Sequence, residues 1–243
     1  MLYLIGTGLS ADDISMKAVS ILKKCFRIYL DTYTSYFSEG DIKKIEKYIN
    51  KKIIPLKRED IESDFLIKEA KRRKISLLVI GDPFSATTHM QLILDAEKEK
   101  VEYEIIHGVS CITAVCETGL HIYKFGRIVS IPTFHEGFKP FSFFDNFLDN
   151  YKLGLHTLFL LDLDMNIKSA LNTLLEISSF KNNEINKKIL VLAIARLSAK
   201  DKIIKYGTIE ELSKIDFGKP PYLLIIPGKM HFSEEEAINR YKI

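Results

Sequence analysis

Three loops of this 243-residue chain carry more chemistry than a plain turn requires. The first is Gly6-Thr7-Gly8-Leu9-Ser10-Ala11, after the apolar run Leu2–Gly6. It matches G-x-G-x-x-A, and Asp31 ends the next β-rich run, near the acidic position that holds a ribose in dinucleotide sites. Asp12 and Asp13 follow directly and would repel a diphosphate, while Ser15 suits the N-cap of a helix starting at Met16. A tight strand-to-helix turn without a ligand explains this loop equally well.

The second loop is Gly81-Asp82-Pro83-Phe84-Ser85-Ala86-Thr87-Thr88-His89. Pro83 restricts Asp82 to extended backbone, which aims a carboxylate at the end of a strand. That carboxylate suits an ammonium, a sulfonium or ribose hydroxyls. The plainer reading is an Asx turn followed by a Thr88 helix cap. The third loop, His107-Gly108-Val109-Ser110-Cys111, has side chains small enough for a flat ring to approach the backbone. Close helix–sheet packing accounts for it equally well. The six histidines form no HxxH or HxxxH pair, so no metal is expected, and no GxSxG elbow is present.

Parallel strands covered by helices on both faces must position such loops at their carboxyl ends. Apolar runs at Leu2–Gly6, Phe26–Asp31, Ile53–Leu56, Ser76–Gly81 and Tyr103–His107 alternate with helical patterns at Met16–Lys24, Asp41–Tyr48, Ser63–Arg73 and Met90–Lys98. Beyond them, strands are predicted at 127–132, 155–161, 188–195, 202–206 and 222–227, with helices at 143–150, 167–177, 209–214 and 234–241. Some of these strands stand too close for a crossover, so antiparallel pairing is expected. The fold class is α/β in two lobes, residues 1–124 open and parallel, residues 125–243 with a mixed sheet.

Composition narrows the classes further. Hydrophobic residues at 47% and charged ones at 28% are ordinary for a globular chain, and a net charge of +3 gives no argument for nucleic acid. The basic stretch 41–74 reads as the wet faces of two helices. No apolar run reaches membrane-spanning length, and the N-terminal run is too short for a secretory signal. Cys25, Cys111 and Cys116 form no CxxC pair, so a reduced, cytoplasmic setting is expected.

Several blocks resemble the diphthine synthase family, in the family's order. They are the opening MLYLIGTGLSADDISMKAVSILKKC, Asp31-Thr32-Tyr33-Thr34-Ser35, GDPFSATTH, TGLHIYKFG, GLHTLFLLDLD, Ala195-Arg196 and FGKPPYLLIIPGKMH. The resemblance implies the tetrapyrrole-methylase-like fold, with two α/β lobes, a ligand cleft between them, and a homodimer. It implies S-adenosyl-L-methionine as methyl donor, leaving S-adenosyl-L-homocysteine. The implied protein substrate is translation elongation factor 2. There the amino group of a 3-amino-3-carboxypropyl chain on one histidine is methylated successively to diphthine, and eukaryotic members also methylate the carboxylate. The resemblance places the donor on Leu9, Asp82, Ser85, Ser110, Cys111, Leu161, Leu197 and Tyr222. Ser85, Leu197 and Tyr222 depart from the family's usual residue types.

Methyl transfer from a sulfonium needs a neutral amine aligned in line with methyl and sulfur, and no metal. His89, His107, His121, Tyr33 and His231 are open as bases; Lys124, Arg196 and Lys229 are open as partners for the substrate carboxylate, and each reads equally well as a surface or interlobe salt bridge. Two rivals stand beside this reading. One is a cobalamin-, siroheme- or ribosomal-RNA-directed methyltransferase on the same fold. The cobalamin enzymes usually continue with GPGDP, where this chain has Gly8-Leu9-Ser10-Ala11-Asp12. The other is a non-catalytic dinucleotide-binding protein, resting on GxGxxA and Asp31.

Overall fold

A computed structural model describes residues 1–34, 36–135, 140–181 and 185–243, so Ser35 of the Asp31–Ser35 block lies outside the described residues. The chain divides into two compact units, Met1–Ile112 and Thr113–Ile243.

In the first unit the strands are β1 (Leu2–Gly6), β2 (Arg27–Asp31), β3 (Ile53–Leu56), β4 (Ile75–Val79) and β5 (Tyr103–Ile106). The helices are α1 (Met16–Leu22), α2 (Glu39–Ile49), α3 (Arg58–Ile61), α4 (Phe65–Arg72) and α5 (Met90–Lys98), and the short α6 (Cys111–Ala114) runs across the boundary at Ile112. All pairings are parallel, in the order β3-β2-β4-β1-β5. Every residue of β4 is buried, as a strand covered on both faces requires. Ala18 and Leu22 of α1 and Ile45 and Ile49 of α2 pack with Ile5, Ile28 and Leu78 on one face. Leu66 and Ala70 of α4 and Leu92 and Ala96 of α5 pack with Leu4, Leu77 and Val79 on the other. β1 sends its crossover toward β2 and its neighbour β4 sends its own toward β5. The order of the sheet therefore reverses between β1 and β4, and ligands bind at such reversals.

Local signals set the helix starts. Ser15 Oγ accepts from Ala18 N at 3.1 Å, as its spacing predicts. α2 begins earlier than its apolar pattern because Ser38 Oγ accepts from Asp41 N at 3.0 Å, and it stops at Asn50, whose φ is 54°. The Thr88 cap of the plainer reading is absent: His89 holds the N-cap position of α5 and caps with no side-chain bond.

The second unit contains β6 (Val129–Ile131), α7 (Ser142–Lys152), β7 (Thr157–Leu161), α8 (Ile167–Lys181), β8 (Leu190–Ala195), β9 (Ile203–Thr208), α9 (Ile209–Leu212), β10 (Tyr222–Ile226) and α10 (Phe232–Ile238). Its sheet runs β6-β7-β10-β8-β9, with β6–β7 parallel and the other pairs antiparallel. Phe144, Phe147 and Phe159 stack at 5.6 Å between centroids within a core completed by Leu171 and Leu174 of α8.

Residues 113–124 pack with the second unit, although the sequence reading draws its line after 124. Gly119, at φ 97°, lies so close to α10 that a Cβ there would stand 2.1 Å from Ala237 Cβ. No helix among the described residues is long and apolar enough to cross a membrane.

Candidate functional site

The three loops singled out by sequence meet in the first unit, because β4, β1 and β5 are neighbours and end side by side. Gly8 and Gly81 form an antiparallel bridge, Gly81 N donating to Gly8 O at 2.9 Å and Gly8 N to Gly81 O at 3.2 Å. A Cβ on Gly6 would stand 2.5 Å from Gly81 O and 2.6 Å from Gly108 N, and one on Gly108 2.3 Å from Gly81 O. Glycine is required here by backbone-to-backbone contact. Leu9 packs beside Gly81, its Cδ2 at 3.9 Å from where a Cβ would stand.

Protein carboxylates occupy the amides of the first loop. Leu9 N and Ser10 N donate to Asp13 Oδ2 at 3.1 and 2.9 Å, and Ala11 N donates to Asp41 Oδ1 at 2.9 Å. Asp31 is 1% exposed and accepts from Tyr33 N at 2.7 Å, from Thr34 N at 3.2 Å and from the Thr34 hydroxyl. Burial works to raise its pKa, but the adjacent His89 ring and the bonds from Thr34 and Tyr33 outweigh it and hold the carboxyl below its ordinary value. The dinucleotide reading is therefore overturned. No free amide cradle remains in this loop for a pyrophosphate, and Asp31 is sealed from any ribose.

His89 pins two of the blocks together. Its ring is buried, with Nδ1 3.2 Å from Pro83 O and Nε2 3.0 Å from Asp31 Oδ2. The Nε2 approach lacks the alignment of a hydrogen bond.

Asp82 makes the Asx turn and also faces a neighbour. Phe84 N donates to Oδ1 at 3.0 Å, while Oδ2 lies 2.7 Å from His107 Nδ1 and accepts from Gly108 N at 3.4 Å. The carboxylate is 13% exposed and the His107 ring 72%. A carboxylate offers about four acceptor positions, so Asp82 retains capacity for one more donor. Ser85, half-buried, donates its backbone N–H to Asp82 O at 3.2 Å. Ser110 is buried, and its Oγ accepts from Ile112 N at 3.2 Å. Cys111 opens α6, and burial pushes its thiol pKa up. Thus Leu9, Asp82, Ser85, Ser110 and Cys111 surround one group of strand ends.

Leu161, Leu197 and Tyr222 share one end of the second sheet. Leu161 ends β7 beside the start of β10, Tyr222 pairs with Ala195, and Leu197 follows two residues on, buried. Tyr222 donates its hydroxyl to Gly218 O, and burial raises its phenol pKa. A cleft of about 300 Å³ opens here, lined by Tyr222, Phe217, Asp216, Ile167 and Lys168. Lys168 is exposed, and sequence reasoning did not single it out; its only signal was a cation just inside the start of α8.

Two of the three cations read from sequence are engaged. Arg196, at φ 53°, donates to Phe217 O at 2.7 Å, Asp201 O at 2.9 Å and Lys219 O, tying the β8–β9 turn to the 217–219 loop. Lys124 is paired with Glu234. Lys229 is exposed but follows the opposite end of β10 from Tyr222.

Glu234 itself was missed; the sequence reading took it as no more than the start of the last helix. It is fully buried and accepts from His121 N at 2.8 Å, His231 N at 2.7 Å, His156 Nε2 at 2.9 Å and Lys124 Nζ. Burial opposes its ionisation, but these donors hold its pKa down at about 2. The signal was a capping box, Glu234 standing three residues after its N-cap His231.

Four likenesses bear on this geometry. Residues 1–213 match the family model described as Tetrapyrrole (Corrin/Porphyrin) Methylases. The chain is 36% identical to diphthine methyl ester synthase 2 of Candida albicans, covering 99% of this chain and 89% of that one. It is 36% identical to the Bos taurus diphthine methyl ester synthase, covering 100% and 95%. A crystal structure of diphthine synthase superposes with a TM-score of 0.88 at 34% identity, over 99% and 95% of the two chains. The chain is a methyltransferase and belongs to the tetrapyrrole methylase family, among its diphthine synthases.

Proposed function

We propose that this enzyme takes methyl groups from S-adenosyl-L-methionine. It places them successively on the amino group of the 3-amino-3-carboxypropyl chain carried by one histidine of translation elongation factor 2, giving diphthine. The observation that carries this reading is the full-length likeness to diphthine methyl ester synthases. Those relatives are named for a methyl ester, so methylation of the carboxylate is a further step to look for.

The residues fit the donor. Gly6 and Gly108 leave no room for a Cβ against neighbouring backbone, and Gly81 has a φ of 79°, so glycines bring the three loops close together around the donor positions. Asp82 keeps acceptor capacity for a ribose hydroxyl or the donor's ammonium. Leu9, Ser85, Ser110 and Cys111 from the first unit, and Leu161, Leu197 and Tyr222 from the second, complete the donor contacts in this reading. When bound, the donor supplies an electrophilic methyl on a sulfonium. The chain's own work is then to hold the acceptor nitrogen in line and to receive its proton.

The acceptor's carboxylate needs a cation. With Lys124 and Arg196 engaged and Lys229 at the far end of its strand, Lys168 takes that role in this reading, because it lines the cleft that holds Tyr222. We place the enzyme in the cytoplasm as a homodimer without nucleic acid. Exposed Tyr123, Leu153 and Phe232 beside the Glu234 cluster support an interface between copies. Light scattering that reads a monomer at micromolar concentration would count against the dimer. The functional test is mass spectrometry of the factor bearing the unmethylated side chain after incubation with enzyme and donor.

A further inference from the structure

The acceptor amine must lose a proton at each transfer, and this inference rests on the amine reading above. Five side chains are open by sequence as the group that receives it. His89 is 2% exposed, with both ring nitrogens facing oxygens of the protein. His121 Nδ1 lies 2.9 Å from the Tyr123 hydroxyl, and His231 Nδ1 lies 2.8 Å from Ser233 Oγ at the start of α10. The Tyr33 ring lies beneath the Arg58 guanidinium, 4.8 Å from its centroid.

His107 differs from these four. It combines a largely exposed ring, 72%, with a carboxylate at hydrogen-bond distance from one nitrogen: Nδ1 lies 2.7 Å from Asp82 Oδ2. Asp82 is itself held by Phe84 N at 3.0 Å and Gly108 N at 3.4 Å, so it cannot swing away freely. Against a carboxylate, Nδ1 carries the hydrogen and Nε2 carries the free lone pair. A carboxylate that fixes the tautomer of an imidazole is the orienting half of a general base. His107 opens the loop that continues into Ser110 and Cys111, and Asp82 reaches it from the second loop, at the strand ends where Gly6, Gly81 and Gly108 meet.

We propose that His107 Nε2 takes the proton from the acceptor amine before each methyl transfer. The N–H bond of the acceptor ammonium breaks and its electron pair stays on nitrogen. The proton binds Nε2, and Asp82 stabilises the resulting imidazolium. Because the ring is exposed, the proton then passes to water and the base is restored for the next methyl.

His107→Ala and His107→Gln test this without threatening the fold, since the ring is largely in solvent. Single-turnover transfer to the factor should fall roughly a hundredfold near neutral pH. The loss should shrink as pH rises, and added imidazole should restore His107→Ala. Affinity for S-adenosyl-L-homocysteine should stay unchanged. Nitrogen-15 spectra of the folded wild-type protein should show His107 with its hydrogen on Nδ1. Three results would overturn the proposal: undiminished transfer by the variants, a loss wholly matched by weaker donor binding, or a His107 hydrogen on Nε2. A wild-type enzyme that labels no amine of the factor would instead overturn the functional reading, and this proposal with it.

Discussion

Glu234 and His156 meet in the interior of the second unit, Oε1 to Nε2 at 2.9 Å, with both side chains fully buried. Gly228 N donates to His156 Nδ1 at 2.9 Å, so that nitrogen is an acceptor and the ring is neutral, with its hydrogen on Nε2 toward Glu234. One carboxylate thereby ties together the blocks around residues 121–124, 156 and 228–231.

Acid should undo this tie in two stages. Burial lowers the His156 pKa from an ordinary 6.5, so its neutral form is favoured by folding, and that stability is lost as pH falls below about 6.5. Glu234, depressed from 4.5 to about 2, contributes stability that is full above about 4.5 and lost as pH falls toward 2. That second part amounts to about 3 kcal/mol. Glu234→Gln should destabilise by about 3 kcal/mol, because it strands the Lys124 ammonium, and should flatten the lower stage alone. Urea melts from pH 7 to pH 3 check this; an unaltered acid profile in the variant would refute it.

Asp82→Ala should weaken the donor more than the fold. Losing one charge-assisted hydrogen bond costs about 1.5–3 kcal/mol of ligand affinity, or roughly a ten- to hundredfold rise in Kd. Losing the bond from Phe84 N should lower stability by about 1 kcal/mol. Calorimetric titration with S-adenosyl-L-homocysteine beside a urea melt separates the two. A normal Kd with a much lower melt midpoint would make Asp82 a turn residue and nothing more.

Much of the first unit was legible in the chain. β1, β3 and α5 fall where their apolar runs and flanking turns put them, and the three loops converge because their strands are adjacent. The partners inside the loops were not legible. Asp13 and Asp41 reach the first loop's amides from three to thirty residues away, and Asp82 meets His107 across two strands. For Arg196 and Lys124 the sequence leaves a substrate partner and a salt bridge equally open, because the carbonyls and the carboxylate that engage them come from residues 201–219 and from Glu234. Spacing along a chain reports periodic faces well and says little about which polar atom a fold brings to another.

Lys168→Ala should raise the KM for the modified elongation factor roughly tenfold or more, through loss of a charge-assisted contact, while donor affinity holds. Lys168→Arg should recover part of the loss. Steady-state kinetics with the factor varied provide the check, and an unchanged KM in Lys168→Ala would move the carboxylate partner elsewhere.

The central claim is methyl transfer to one modified histidine. Elongation factor 2 carrying the unmethylated 3-amino-3-carboxypropyl side chain should be incubated with the enzyme and isotopically labelled S-adenosyl-L-methionine, then digested and sequenced by mass spectrometry. Successive labelled methyls are expected on the amino group of that single residue. An unlabelled factor, with label appearing on a tetrapyrrole or on ribosomal RNA offered in parallel, would contradict it.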